Sequence, residues 1–528
     1  MEPSPGRLPQ DGKNRIISPL RRPVPEHEAV SEELKEALGR IIESGYQISV
    51  DGFDYLKTLE VGDLKEGVKN ALKAARASSD EVLFLDKEFL QKVCKDIQEK
   101  PDPLRFASRK PRIRPLAAEH EAEIRLLDNV PAEASGDMDG FVEYFRSRFK
   151  KTERILRQRM DVRDAVTIGN ALKMPLKSKI KVIGIVTNKR ASGSRLFLDI
   201  EDSEDSVTVM ASDGETVRKG LSILMDQVIC VDGIKYRQDL LIANDFIWPD
   251  IPRRPPNRSE IPLCAAFIAD IHIGSRYFQK ELFARFIRWM NMDLGPPQSR
   301  RLAGRVKYLI ISGDLVDGIG IFPTQLKELE ITDIREQYEV AAMLLSELPD
   351  HVEVILLPGN HDAVRKSLPQ VPIPREYAET LHENRKIRFL GNPSRLLLHG
   401  VEAYIAHGKA LDEILSQVPG LDFQAPADGM ELLLRCRHVA PIYGNSTPIA
   451  PEKEDRLVIA STPDVFQMGH IHVHGVKKYK GTTLIASGGW QAQTPFQKRV
   501  NLTPTVGVAP IMDLQTHAVV PLDFNKLG

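Results

Sequence analysis

The chain has 528 residues, too many for one hydrophobic core, so several domains are expected. With 42% hydrophobic and 27% charged residues it has the composition of a soluble globular protein, and a formal net charge of −1 argues against a chain-wide basic surface for nucleic acid. Four cysteines with no CxxC pair argue against a disulfide framework or a cysteine zinc site, the polar N-terminus lacks a secretory apolar core, and no run reaches the about 20 apolar residues that span a bilayer. The expected setting is cytoplasmic, without a membrane.

In chain order, residues 1–26 are rich in Pro, Gly and Arg and read as a disordered lead-in. Over 27–99 apolar residues recur at three- and four-residue steps, as at Leu34, Leu38, Ile41 and Ile42, which predicts a small helical domain. Residues 100–140 are charged and contain proline, the pattern of a linker. A basic helix and its connection fill 141–177. The helix, 141–160, carries Phe141, Phe145, Phe149 and Leu156 as an apolar stripe flanked by Arg146, Arg148, Lys150, Lys151, Arg154, Arg157 and Arg159. Such a face can meet phosphates, but a solvated face on a packed helix is the commoner case. From 178 to 252 the pattern alternates with period two in five short runs, compatible with an OB-like barrel or another small barrel. RRPPNRSEIP (253–262) reads as a hinge, and over 253–528 strand-like runs alternate with helical segments, predicting an α/β domain.

Five clusters of metal-ligating residue types follow apolar runs in that last domain: Asp270-Ile271-His272, Gly313-Asp314-Leu315-Val316-Asp317, Gly359-Asn360-His361-Asp362, His407-Gly408, and Gly469-His470-Ile471-His472-Val473-His474. A lone Asp-x-His triplet occurs by chance, a Gly-Asp turn is often only a turn, and a single histidine is usually structural. The series is another matter. Phosphodiester hydrolysis near neutral pH needs a deprotonated water and positive charge, which two divalent ions roughly 3.5–4 Å apart supply through carboxylate, imidazole and amide ligands.

This ordered set resembles the calcineurin-like metallophosphoesterases, with their DxH, GDxxD, GNH(D/E), H and GHxH pattern. The resemblance implies that Asp270, His272 and His472 hold a first metal. Asp314 then bridges both ions, and Asn360, His407 and His470 hold the second. It further implies that His361 contacts the phosphate and protonates the leaving oxygen, with Asp362 orienting His361. Asp317 is expected to support its turn, and His474 to stand behind the ligands or simply face solvent rather than bind metal. The mixed donor set suits Mn²⁺, Fe or Zn²⁺ better than Mg²⁺, and similarity to the nucleases of the superfamily favours Mn²⁺.

A barrel ahead of such a domain is similar to the B-subunits of replicative DNA polymerases. SGYQISVDGFDYL (44–56) and SGGWQAQTPFQKRVNLTPTVGVAPIMDL (487–514) resemble the small subunits of archaeal DNA polymerase D. The fold so implied is multidomain α+β: a small N-terminal helical domain, an OB-like β-barrel and a C-terminal calcineurin-like α/β metallophosphoesterase domain. The activity implied is a 3′→5′ exonuclease with two divalent metal ions, acting on single-stranded or frayed DNA 3′ ends and paired with a large catalytic polymerase subunit. A stand-alone phosphodiesterase or phosphatase, and a scaffold for the polymerase subunit, are the other readings.

Overall fold

The computed structural model describes residues 32–59, 61–77, 84–98, 114–128 and 138–527. The lead-in expected over 1–26 lies outside them, as do 100–113 and 129–137 of the expected linker. The chain divides into two compact units, Met1–Arg105 and Phe106–Gly528. Among the described residues no helix is long and apolar enough to cross a membrane.

The first unit has helices Glu32–Glu43, Val50–Leu56, Val61–Ala77 and Lys87–Gln98, with one short parallel pairing of Gln47–Ile48 with Phe84–Leu85. Leu34, Ile41, Leu56, Leu64, Val68, Leu85 and Leu90 form its core, as the helical spacing predicts, whereas Ile42 lies on the exposed side. Ser49 starts the second helix: its hydroxyl accepts the Gly52 N–H at 3.2 Å.

In the second unit the expected basic helix spans Met138–Arg157, and its innermost face corrects the predicted stripe. Tyr144, Arg148, Thr152 and Leu156 are the fully buried positions, while Phe145 and Phe149 are only partly covered. Arg148 is buried with an acceptor at each of its three guanidinium nitrogens. It donates to the Asp455 carboxylate at 2.8 Å, the Pro441 carbonyl at 2.6 Å and the Tyr144 hydroxyl at 3.1 Å. Lys151 likewise pairs with Glu454 at 2.7 Å, so this part of the basic face is a packing surface.

Strands Lys179–Ser192, Arg195–Glu201, Ser206–Ala211, Val228–Arg237 and Leu240–Ile247 close into a five-stranded barrel, the fifth inserted between third and fourth. Helix Gly214–Leu221 lies between the third and fourth strands and is capped by Asp213. Alternating burial along Arg195–Glu201 and Ser206–Ala211 is the period-two signal in three dimensions. The segment expected to be a hinge is pinned instead. The buried Asp464 carboxylate accepts both the backbone and side-chain N–H of Asn257 at 2.9 Å and pairs with Arg254 at 2.8 Å.

The rest of the unit carries two six-stranded sheets. In the first, Ile387–Phe389, Glu353–Leu357, Val306–Ser312 and Cys264–Ile268 run parallel, and Val508–Asp513 and Val519–Asp523 continue it antiparallel. The second is ordered Gly475–Tyr479, Thr482–Ala486, Val465–Met468, Val401–Ile405, Ser394–Leu398, Ile124–Leu126. Phe267, Ile310 and Ile355 of one sheet share a core with Leu396, Ile405, Val465 and Ile485 of the other. Near-continuous apolar strands at this interface follow from burial on both faces. The edge strand Ile124–Leu126 lies within the expected linker and corrects it: Leu126 is in register with Leu396. Three residues flanked by charge are too few to show an alternating pattern.

Candidate metal centre

Each cluster is the turn that leaves the C-terminal end of a strand: Asp270 and His272 after Cys264–Ile268, Asp314 after Val306–Ser312, Asn360 and His361 after Glu353–Leu357, His407 after Val401–Ile405, and His470 and His472 after Val465–Met468. These turns are sharp. Asp270, His272, Asp314, His470 and His472 have φ of 54°, 55°, 51°, 70° and 61°, a left-handed backbone that L-residues adopt at a cost and that gathers at functional sites. Glycines let the turns touch. A Cβ on Gly359 would lie 2.1 Å from an Asp314 oxygen, and one on Gly313 would lie 2.5 Å from His407 Nδ1.

The turns converge on three overlapping groups whose donor atoms lie within 4.8 Å of one another: Asp270, His272 and His472; His272, Asp314 and His361; Asp314, His407 and His470. Asp314 Oδ2 stands between the outer groups, 3.8 Å from His272 Nε2 and 3.3 Å from His407 Nε2. Asn360 Oδ1 lies 3.0 Å from His407 Nε2, beside the last group. Each buried carboxylate gives one oxygen to a backbone amide and turns the other inward. Asp270 Oδ2 accepts the His470 N–H at 2.8 Å, and Asp314 Oδ1 accepts the His361 N–H at 2.8 Å.

Neighbours also select which imidazole nitrogen faces in. Nδ1 of His272 donates to Asp317 Oδ1 at 2.9 Å, and Nδ1 of His407 to the Ser312 carbonyl at 2.9 Å, so both present Nε2. His470 is reversed: its Nε2 donates to Asp412 Oδ2 at 2.9 Å, leaving Nδ1 for the centre. His472 Nδ1 meets the Gln497 side-chain amide at 3.2 Å, and its Nε2 lies 3.1 Å from His272 Nε2.

The residues fit a divalent cation pair. Asp270 Oδ1 is buried without a hydrogen-bond partner. His407 Nε2 and Asn360 Oδ1, both acceptors once His407 Nδ1 donates to Ser312, face each other at 3.0 Å. The charges are equally unbalanced without an ion. Burial pushes the Asp270 carboxyl up to about 7, and His407, despite its burial, is raised to about 9 by Asp314. A cation would satisfy all of these groups together, and the mixture of carboxylate, imidazole and amide oxygen would suit Mn²⁺, Fe or Zn²⁺.

His361 sits in the middle group, its ring centroid 4.6 Å from that of His272. Its Nδ1 donates to the Asp317 carbonyl at 2.7 Å, so Nε2 is its free nitrogen. Here the expectation for Asp362 is corrected. The buried Asp362 carboxylate accepts from the Gly359 N–H at 2.8 Å and the Tyr338 hydroxyl at 3.2 Å, tying the Asn360 turn to helix Ile334–Ser346; the His361 ring is held by Asp317 instead. Asp362 follows His361 directly in sequence, and the turn sends the two side chains to different partners. Asp317, expected only to support its turn, holds both His272 and His361, and is itself fixed by Gln325 at 3.0 Å and Gln491 at 3.1 Å. His474 joins none of the three groups; its Nδ1 donates to the Ala486 carbonyl at 3.1 Å. Asp412, Gln491 and Gln497 went unread in the sequence. Only Asp412 offered a signal, as an acidic residue in the first turn of helix Leu411–Gln417, just beyond the His407 turn.

The sequence model of the family of DNA polymerase alpha/epsilon B-subunits matches residues 265–475, which contain every residue of the three donor groups. The DNA polymerase II small subunit of Methanothermobacter thermautotrophicus is 35% identical over 483 residues, 91% of this chain and 98% of that protein. The protein of the same description from Archaeoglobus fulgidus is 37% identical over 73% of this chain and 77% of its own length. The one from Pyrococcus furiosus is 40% identical over 74% of this chain, and the match spans 64% of that longer relative. On these matches the chain belongs to the family of the small subunits of archaeal DNA polymerase D.

Proposed function

We propose that the chain is the 3′→5′ exonuclease subunit of a two-subunit replicative DNA polymerase, removing nucleotides from single-stranded or frayed DNA 3′ ends and supporting assembly of the large catalytic subunit. The observation that carries the reading is the inward oxygen of Asp314, set between a His272 group and a His407 group. In this reading the two-sheet region is a calcineurin-like phosphoesterase domain and the closed barrel an OB-like one.

Asp270, His272, Asp314 and His472 would hold one cation, and Asp314, Asn360, His407 and His470 the other. When bound, two divalent ions, Mn²⁺ by preference, supply a deprotonated water near neutral pH and positive charge against the phosphate. The protein's own groups do the rest. The Asp317 carbonyl fixes the His361 ring, so Nε2 is the nitrogen that delivers a proton to the departing 3′ oxygen. Burial holds His361 down at about 4, and a bound phosphodiester anion opposes that shift and favours the imidazolium. A mispaired terminus enters more readily because less base pairing opposes fraying.

The barrel serves assembly better than phosphate binding. The barrel carries an acidic cluster, Asp199, Glu201, Asp202, Glu204 and Asp205, that repels phosphate, and two of its members are engaged within the fold: Asp202 accepts the Ile168 N–H at 2.7 Å, and Asp199 accepts from Thr208 at 2.8 Å and pairs with Arg190 at 3.0 Å.

The test is digestion of 5′-labelled single-stranded DNA by the purified chain with Mn²⁺, alone and with its large subunit. Stepwise shortening from the 3′ end, abolished by Asp314→Asn and lowered at least a hundredfold by His361→Ala, is the expected result. Turnover of small phosphoesters with no action on DNA would instead make the chain a stand-alone phosphatase.

A further inference from the structure

A cavity of about 630 Å³ opens beside His361, walled by Ile319, Ile321, Val371, Lys366 and Tyr377. Its volume falls within the about 300–1,000 Å³ of sites that hold small organic groups. The wall is mostly apolar, and Ile319 and Tyr377 are 39% and 36% exposed, large for hydrophobic side chains next to a polar centre. Lys366 is exposed, donates to the Asn360 carbonyl and, among the described residues, makes no ion pair. The cavity thus combines a flat aromatic ring, aliphatic walls and one cation without a carboxylate partner among the described residues, the chemistry that receives a nucleobase and its phosphate.

In-line displacement at phosphorus puts the attacking and leaving oxygens on opposite sides. His361 stands on the leaving side in the reading above, and the cavity opens beside His361. We infer that this cavity seats the nucleoside whose 3′ oxygen departs, the penultimate residue of the strand, with Tyr377 against its base and Lys366 on its phosphate. The released mononucleotide lies on the other side of the centre. The inference rests on the nuclease reading for its direction, whereas DNA occupancy of the cavity can be measured separately.

The experiment uses the full chain, with Tyr377→Ala, Tyr377→Phe and Lys366→Ala as variants and fluorescence anisotropy of a labelled oligo-dT as the binding readout. Tyr377→Ala and Lys366→Ala should each weaken binding about tenfold, with Tyr377→Phe restoring it. In the Mn²⁺ cleavage assay the loss should fall on KM, with kcat within a few-fold of wild type. Thymidine 5′-monophosphate, the released product, should inhibit wild type and Tyr377→Ala with the same Ki. Unchanged binding in both alanine variants would overturn the cavity assignment and leave the nuclease reading standing. A wild-type chain that binds DNA through these residues but cleaves none would overturn the nuclease reading and the assignment of the leaving side.

Discussion

Asp412 holds His470 by its Nε2 at 2.9 Å, and this one contact decides that Nδ1, rather than Nε2, faces the centre. Lys409 sits on the same carboxylate oxygen at 2.6 Å. Burial alone would raise the Asp412 carboxyl, but His470 and Lys409 hold it well below the usual carboxylate range, so it is an acceptor at any working pH. Without it, His470 can change tautomer and ring orientation. In the proposed two-metal centre, Asp412→Ala should lower affinity for one of two Mn²⁺ ions by about 10–100-fold, the usual weight of a group that orients a metal-binding histidine. Isothermal titration should then show two unequal sites, and equal affinities in variant and wild type would rule the role out.

Asp317 is the matching support on the other side, with one difference. Its carboxylate holds His272 Nδ1 and its backbone carbonyl holds His361 Nδ1, at 2.9 and 2.7 Å. A side-chain substitution removes only the first contact. Asp317→Ala should therefore weaken the proposed metal site that includes His272 by about 10–100-fold, leaving the His361 ring in place. The check is Mn²⁺ titration together with the pH dependence of cleavage at saturating metal: an altered alkaline limb, where a proton donor is lost, would mean that His361 had also moved.

Asp362 should behave as a structural residue. Asp362→Ala strands the buried Gly359 N–H and Tyr338 hydroxyl, at about 1–3 kcal/mol for each unsatisfied group. Tyr338→Phe removes the hydroxyl from that pair and should cost about 1 kcal/mol, with part of the effect shared in a double mutant. Urea unfolding of the three variants measures this directly. A fully additive double mutant would show that the two groups do not act through one hydrogen bond.

The donor residues were legible because each follows an apolar strand, which places Asp270, Asp314, Asn360, His407 and His470 just past carboxyl ends of strands, three in one sheet and two in the other. Their supports were not legible. Asp412, Gln491 and Gln497 are ordinary polar residues in helix starts and loops, and their partners lie 58, 174 and 25 positions away in sequence. Arg148 was misread for a related reason. A helical stripe is inferred from apolar residues, so an arginine whose guanidinium nitrogens each find an acceptor within the fold looks like surface.

That arginine sets a stability prediction. Arg148 and His438 both donate to the same buried Asp455 oxygen, at 2.8 and 2.9 Å, and the other Asp455 oxygen accepts the Leu457 N–H at 2.9 Å. Arg148→Ala leaves a buried carboxylate without its cation and should cost about 3–5 kcal/mol. Arg148→Met with Asp455→Leu, replacing both charges with apolar volume, should recover much of that loss. Denaturant midpoints of the single and double variants decide the point; a double variant less stable than Arg148→Ala would contradict it.

The same network makes stability depend on pH through His438. Its Nδ1 accepts the Ala440 N–H at 3.0 Å while its Nε2 donates to Asp455, which fixes the neutral ring. Burial pushes its pKa down from 6.5 to about 4, because Arg148 already neutralises the carboxylate beside it. Between those values the unfolded chain binds a proton on this imidazole that the folded chain refuses, so stability rises with pH across the window. The Asp455 carboxyl shifts the opposite way from its burial, held down by His438 and Arg148. Its contribution is complete above the ordinary carboxylate pKa and is lost only at lower pH, outside this window. The histidine alone should lower stability by about 2 kcal/mol between pH 7 and pH 5. Urea unfolding at the two pH values should show that drop in the wild-type chain and a smaller one in His438→Gln, whose amide can still donate to Asp455 but does not titrate. Equal drops in both chains would place the pH dependence elsewhere.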